Sequence, residues 1–337
     1  MPRIPSRALS LAVVGFVCAL VLAPSFAQAA FVNLGPAGDF NVFVFNNNTQ
    51  SGSDAHGKIG VGGNANFGSF TIASALGSGT DNLIVGGNFS NNGASLKGGM
   101  LIGGNATWTG SITTTGRIAV NGNATFADGS VGTPVLVGGT YTAPVYFPPN
   151  TYTSPATFPF SFTDVANYLT DQADFMASLP FNGTTNILFG GITLNGTDPS
   201  FNNFYISAAD LAAGTGLTIN APAGSTVVLN VDGSPAFFDN MMINLNGVTE
   251  HKVLYNFHNA TNLTISSIGV RGSLLAPRAD VNFSGNIDGT LIAKNLTGPG
   301  ESHLFLFNGN LPPQVPEPAT VALLGLALTS LAAVRRR

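Results

Sequence analysis

Val61-Gly62-Gly63-Asn64 recurs as Val85-Gly86-Gly87-Asn88, Ile102-Gly103-Gly104-Asn105, Val120-Asn121-Gly122-Asn123 and Val137-Gly138-Gly139-Thr140. From the first residue of each copy the spacings are 24, 17, 18 and 17. A near-constant period means that each copy does the same job in successive turns of chain. A strand rises ~3.3 Å per residue and glycine supplies the positive φ of a corner, so a repeat of 17 to 18 suits one three-sided coil. Asparagine beside the glycines can stack on its counterpart in the next coil. The expected fold is all-β: a right-handed β-solenoid. β-Hairpins in a sandwich turn about every 8 to 12 residues, which the longer spacing disfavours.

Outward from the repeat the pattern changes once. Ser161 to Leu179 places Phe162, Val165, Tyr168 or Leu169, Gln172, Phe175 or Met176 and Leu179 three to four apart, and Pro180 follows. That is the period of an amphipathic helix, with Thr163 as N-cap and Asp164 at the positive end of the dipole. One such helix packed alongside would cover an open flank of the solenoid. Pro144 to Pro159 reads as an extended connector. Short strand-like runs fill the chain from Asn186 to Phe307, and they read as further coils of one core spanning residues 30–311.

Both chain ends read as addresses. Arg3 and Arg7, the apolar Ala8 to Leu22 and Ala27-Gln28-Ala29 describe a secretory signal peptide over residues 1–29, cleaved after Ala29. Residues 312–337 hold Pro316-Glu317-Pro318, an uncharged membrane segment at 319–334, and Arg335-Arg336-Arg337. Spanning hydrocarbon takes about 20 residues, so the segment is short, and the arginines would hold its end on the cytoplasmic side. The tail resembles the PEP-CTERM sorting signal of Gram-negative bacteria. That resemblance implies an exosortase-type transpeptidase as partner, cleavage near Pro316 to Pro318, transient residence in the inner membrane, and release to the cell surface or extracellular matrix.

Between the two signals seven basic residues meet fifteen acidic ones, a net charge of −8. The basic residues are scattered, which argues against nucleic acid as a partner. The chain's one cysteine, Cys18, lies in the signal peptide, so the body has no disulfide and must rely on packing and backbone hydrogen bonds. His56, His251, His258 and His303 form no HExxH or His-x-His spacing, and neither a metal nor another cofactor is expected from them. Asp54 and His56 flank a turn and could serve a calcium ion, although Ser51-Gly52-Ser53-Asp54 is also ordinary turn chemistry. Asp280 and Asp288, with Lys294 and Glu301 near them in sequence, are the best acid and base candidates for a glycan-cleaving β-helix, yet both aspartates stand at common turn positions.

The body also resembles a known ectodomain. Phe40-Asn41-Val42-Phe43-Val44-Phe45, Lys58 to Asn64, the central helix, Gly272-Ser273-Leu274-Leu275-Ala276-Pro277, Gly289 to Lys294 and Gly300-Glu301-Ser302-His303 are similar to the choice-of-anchor A family. The resemblance implies a surface-exposed adhesive domain and brings no catalytic residue. The expectation is a non-enzymatic adhesive or structural protein working among extracellular polysaccharide, as in a biofilm. Trp108, between Thr107 and Thr109, is the expected surface contact, and Phe67, Phe89 and Phe126 are lesser candidates whose alternative is core stacking. The alternatives are a glycan-cleaving enzyme and an ice-binding-like protein. The second would need a regular Thr-x-Thr ladder, which only Thr107-Trp108-Thr109 and Thr113-Thr114-Thr115 approach.

Overall fold

Val61, Val85, Ile102, Val120 and Val137 are register partners in one parallel ladder, and all five are buried. The computed structural model describes residues 33–78, 81–151 and 156–313, all within the unit Val32–Arg337. The signal peptide with Ala29, and the tail with Pro316, Glu317, Pro318, the segment 319–334 and Arg335 to Arg337, lie outside the described residues.

Three parallel ladders make up most of the stack, and a separate four-stranded sheet of Thr184–Leu188, Gly191–Asn195, Gly216–Asn220 and Met242–Asn246, its first pair antiparallel, makes up the rest. The first runs from Phe201–Ser207 through Leu291–Gly298 and Val42–Val44 to Val135–Val137. The second runs from Ala236–Asp239 through Asn48–Ser51 to Tyr141–Thr142. The third joins Gly269–Arg271 through Glu301–His303 and Asp54–Ala55 to Ala106–Thr114. Strands of the first ladder, such as Ile59–Val61 and Ile118–Val120, are buried at every position. Burial on both faces is why they read as unbroken apolar runs without alternation.

The coils are not stacked in chain order. Leu291–Gly298, near the end of the described chain, pairs with Val42–Val44 and with Asn48–Ser51 near its beginning, so the last coil lies beside the first. The helix makes this possible. Helix α1 (Phe162–Ser178) begins against Phe43, whose ring lies 5.3 Å from Phe162, and ends beside Asn203 at the far end of the first ladder. It returns the chain along the stack so that the later strands close back onto the earlier ones.

The helix stands where the periodicity places it, and Val165, Leu169, Gln172, Ala173 and Met176 are its buried side. The cap differs. Ser161, not Thr163, has the extended backbone of an N-cap and accepts from the Asp164 N–H at 3.2 Å. Three buried asparagines seat the helix on the stack: Asn256 Nδ2 donates to Ala173 O (2.8 Å) and Asn230 Oδ1 (2.7 Å), and Asn230 Nδ2 donates to Asn203 Oδ1 (2.7 Å). Asn203 in turn donates to the carbonyl of Leu179 at 3.2 Å, satisfying a group that the helix end leaves open.

The glycines of the repeat do a different task from the one expected. None of Gly62, Gly86 or Gly103 has positive φ. A Cβ on Gly86 would overlap the carbonyl oxygen of Gly62, and one on Gly103 that of Gly86. They are needed because successive coils approach too closely for a side chain. The asparagines do stack: the Oδ1 of Asn47, Asn64, Asn88 and Asn105 each accepts the backbone N–H of the corresponding asparagine one coil on, at 2.8–3.0 Å.

Candidate contact face

Behind the second ladder the interior is an aromatic column. Phe67 lies 6.1 Å from Phe89, Phe89 5.3 Å from Trp108, and Trp108 stacks on Phe126. Register explains how they fit. Phe67, Trp108 and Phe126 share a row in which Asn91 replaces an aromatic, and Phe89 takes the neighbouring row otherwise held by Ala65, Ala106 and Ala124. Large and small side chains thus exchange places from coil to coil at nearly constant filling.

This corrects the expected surface contact. Trp108 is 1% exposed, and Phe67, Phe89 and Phe126 are buried with it. Side chains alternate across a strand, so when Trp108 turns in beside Ala106, Thr107 and Thr109 turn out.

What faces solvent is a row that crosses the strands. Thr142, Thr125, Thr107, Ser90, Asn66, Thr49, Thr297, Asn282, Thr264 and Phe237 occupy equivalent outward positions on successive strands. Apart from the half-buried Thr264 they are exposed, and none is charged. Neighbouring strands lie ~4.8 Å apart, so hydroxyl and amide groups repeat at that spacing along the stack. Ser90 Oγ donates to Asn66 Oδ1 at 3.0 Å, which orients part of the row. The search for Thr-x-Thr within one strand misses this arrangement, because the repetition runs from coil to coil.

Charges sit at the margins. Lys294 Nζ lies 3.6 Å from Asp280 Oδ1, which also accepts from Asn295 at 2.7 Å. At the far end Tyr146 donates to Asp128 at 2.6 Å, and this hydrogen bond holds the Asp128 carboxyl below its ordinary range.

The acid and base candidates do not meet as a pair. Asp280 is in register with Asn262 and Asn295 on the second ladder, whereas Asp288 is in register with Arg271 and His303 on the third. On that third ladder the fold assembles a cluster that sequence spacing did not reveal. His56, Glu301 and His303 come together, with Asp288 Oδ1 2.6 Å from His303 Nδ1 and Asp54 Oδ2 3.7 Å from His56 Nε2. Desolvation opposes the charge on His303, but the hydrogen-bonding carboxylates of Asp288 and Glu301 outweigh it and raise the imidazole above its ordinary range. Asp54, in the strand Asp54–Ala55, also accepts from Ser74 Oγ at 2.8 Å, a contact between coils and not the local turn bond expected of Ser51-Gly52-Ser53-Asp54.

The family described as an ice-binding-like adhesive domain matches residues 33–304. The chain belongs to this family. The PEP-CTERM protein-sorting motif matches residues 314–337, in agreement with the reading of the tail. The ice-binding-like adhesive domain together with that motif makes this an exported, surface-associated protein handled by an exosortase system. Among solved structures, the ice-binding-like domain is similar to the DUF3494 domain of a Shewanella frigidimarina ice-binding protein, with 15% identity, 83% of this chain and 98% of that chain covered, and a TM-score of 0.33. It is also similar to an ice-binding protein from an Antarctic Flavobacteriaceae bacterium, with 13% identity, 86% and 100% covered, and a TM-score of 0.27. No curated protein matches significantly.

Proposed function

We propose that this protein is a non-enzymatic adhesin of the choice-of-anchor A type that holds extracellular polysaccharide against the row crossing its second ladder. The row itself carries the reading: uncharged hydroxyl and amide groups repeat on strand after strand, facing solvent. A repeating polymer laid on such a face makes many similar contacts at once. One hydrogen bond contributes only about 0.5–1.5 kcal/mol net, but linked contacts gain about 10²–10⁴ through effective concentration. The separation of Asp280 and Asp288 onto two ladders supports a binding role over glycan cleavage.

The same row favours ice as the second reading, since regularly spaced threonines on an uncharged face are what such a surface requires, and the family description points the same way. Co-sedimentation of the exported protein with exopolysaccharide separates the cases. Wild type should pellet with polymer, and Thr107→Tyr with Thr125→Tyr should lower binding at least ~10-fold by lifting the polymer off the face. Binding unchanged by these substitutions would remove the row from the function. Thermal hysteresis without polymer binding would favour the ice reading, and release of reducing ends would establish an enzyme.

A further inference from the structure

The histidine and carboxylate cluster on the third ladder is built by strand register. Ser302 pairs with Ala55, so the residues that follow them, His303 and His56, stand side by side with ring centroids 4.9 Å apart. Glu301 and Asp54, which precede the same pair, are likewise neighbours. Residues on either side of a strand position project to the same face, so all four point outward together. His303 Nε2 lies 3.2 Å from Glu301 Oε1, and His56 Nε2 lies 4.0 Å from the same oxygen. One donor atom from each of His56, Glu301 and His303 falls within 4.8 Å of the others, and all three residues are half-buried. We propose that His56, Glu301 and His303 bind a divalent transition metal of the zinc class, leaving a coordination position open to water.

Donor chemistry and spacing support the assignment. Two imidazoles and one carboxylate, with a further position free, are a zinc donor set, whereas calcium takes oxygen ligands almost alone. Metal–donor bonds of about 2.0–2.1 Å place tetrahedral donors roughly 3.3 Å apart. The Glu301 and His303 donors already have about that separation at 3.2 Å, and His56, 4.0 Å from the Glu301 oxygen, would have to move closer. Behind His303, Asp288 holds Nδ1 at 2.6 Å. A carboxylate in that position fixes the ring and directs the Nε2 lone pair toward a metal.

Location gives the ion a role. His56 belongs to the first coil and Glu301 and His303 to the last, 245 positions from His56 to Glu301. On this ladder the two coils share a single register pair, Ser302 with Ala55. The proposed ion therefore spans the thinnest junction between the first and last coils of the chain, in the middle of the stack. Clips that close long loops restrict the unfolded chain most, so the metal acts as a fastener for the closure.

The test uses untagged exported protein stripped with EDTA. Zn²⁺ titrated by calorimetry should bind one ion per chain, and saturating Zn²⁺ should raise the melting temperature by on the order of 5 °C. Co²⁺ should give the visible absorption of a tetrahedral site, and Ca²⁺ at the same concentration should leave the melt unchanged. His56→Gln and His303→Gln should keep the wild-type circular dichroism and lose the Zn²⁺-dependent shift. Asp288→Asn should weaken Zn²⁺ about 10–100-fold at unchanged stoichiometry. No Zn²⁺ binding by wild type, undiminished binding in both histidine variants, or an equal response to Ca²⁺ would each overturn the proposal.

Discussion

The indole of Trp108 lies flat on the ring of Phe126, with centroids 4.2 Å apart and planes 8° from parallel. The pair joins two successive coils through the interior, so Trp108 is a stability residue. Trp108→Ala should cost about 3–5 kcal/mol through lost burial and the cavity left behind. The indole Nε1 has no hydrogen-bond partner among the described residues. Trp108→Phe, which keeps a ring and deletes that orphan donor, should therefore cost less than about 1.5 kcal/mol. Chemical denaturation of the two variants checks both values.

Gly103 offers a second test of how tightly the coils stack. Its Cβ would overlap the carbonyl of Gly86, a backbone group that cannot swing aside as a flexible side chain can. Gly103→Ala should destabilise by about 1–3 kcal/mol even though alanine has the higher intrinsic propensity. Gly77→Ala is the control, because nothing lies within 4 Å of the added methyl, and its melting temperature should stay near wild type.

The outward row should separate stability from contact. Thr107→Ala and Thr125→Ala remove exposed hydroxyls and should change stability by no more than about 0.5 kcal/mol. Polymer binding should nevertheless weaken. Because the row is uncharged, that binding should also survive moderate salt, unlike capture of a polyanion by lysine and arginine. Sedimentation at low and high ionic strength reads this directly.

His258 sets a pH dependence. Desolvation lowers its pKa below the ordinary 6.5, partly offset by Asp232 and Asp174 and reinforced by Arg278. The folded protein therefore takes up this proton less readily than the unfolded chain. Its contribution to stability is complete above pH 6.5 and declines as pH falls from there through the folded value. The difference in melting temperature between wild type and His258→Asn should accordingly shrink as the buffer is taken from pH 7.5 to 5. A difference independent of pH would show that the half-buried ring is not held neutral by the fold.

The tail predicts its own processing. Replacing Pro316, Glu317 and Pro318 with alanines should leave the protein in the inner membrane. Wild type should appear outside the cell with a mass that begins near Ala30 and lacks everything beyond Pro316 to Pro318. Intact-mass measurement of both fractions decides it, and an exported form that retains Arg335 to Arg337 would exclude sorting at this motif.

Local pattern determined a large part of this molecule. The period of 17 to 18 residues, the β-branched runs and the helical spacing of Val165, Leu169 and Met176 each report how one segment meets its immediate surroundings, and such information lies along the chain. The ladder of Val61, Val85, Ile102, Val120 and Val137, the stacked asparagines and helix α1 were legible for that reason. Tertiary structure alone decided the rest. Trp108 is inside because its strand's register points it toward Phe89 and Phe126, and the threonines on either side gave the impression of an exposed site. The contact row repeats across coils, so no single strand displays it. His56 meets Glu301 and His303 because helix α1 sends the chain back and lays its last coil beside its first, and that closure between residues more than two hundred positions apart leaves no local spacing to read.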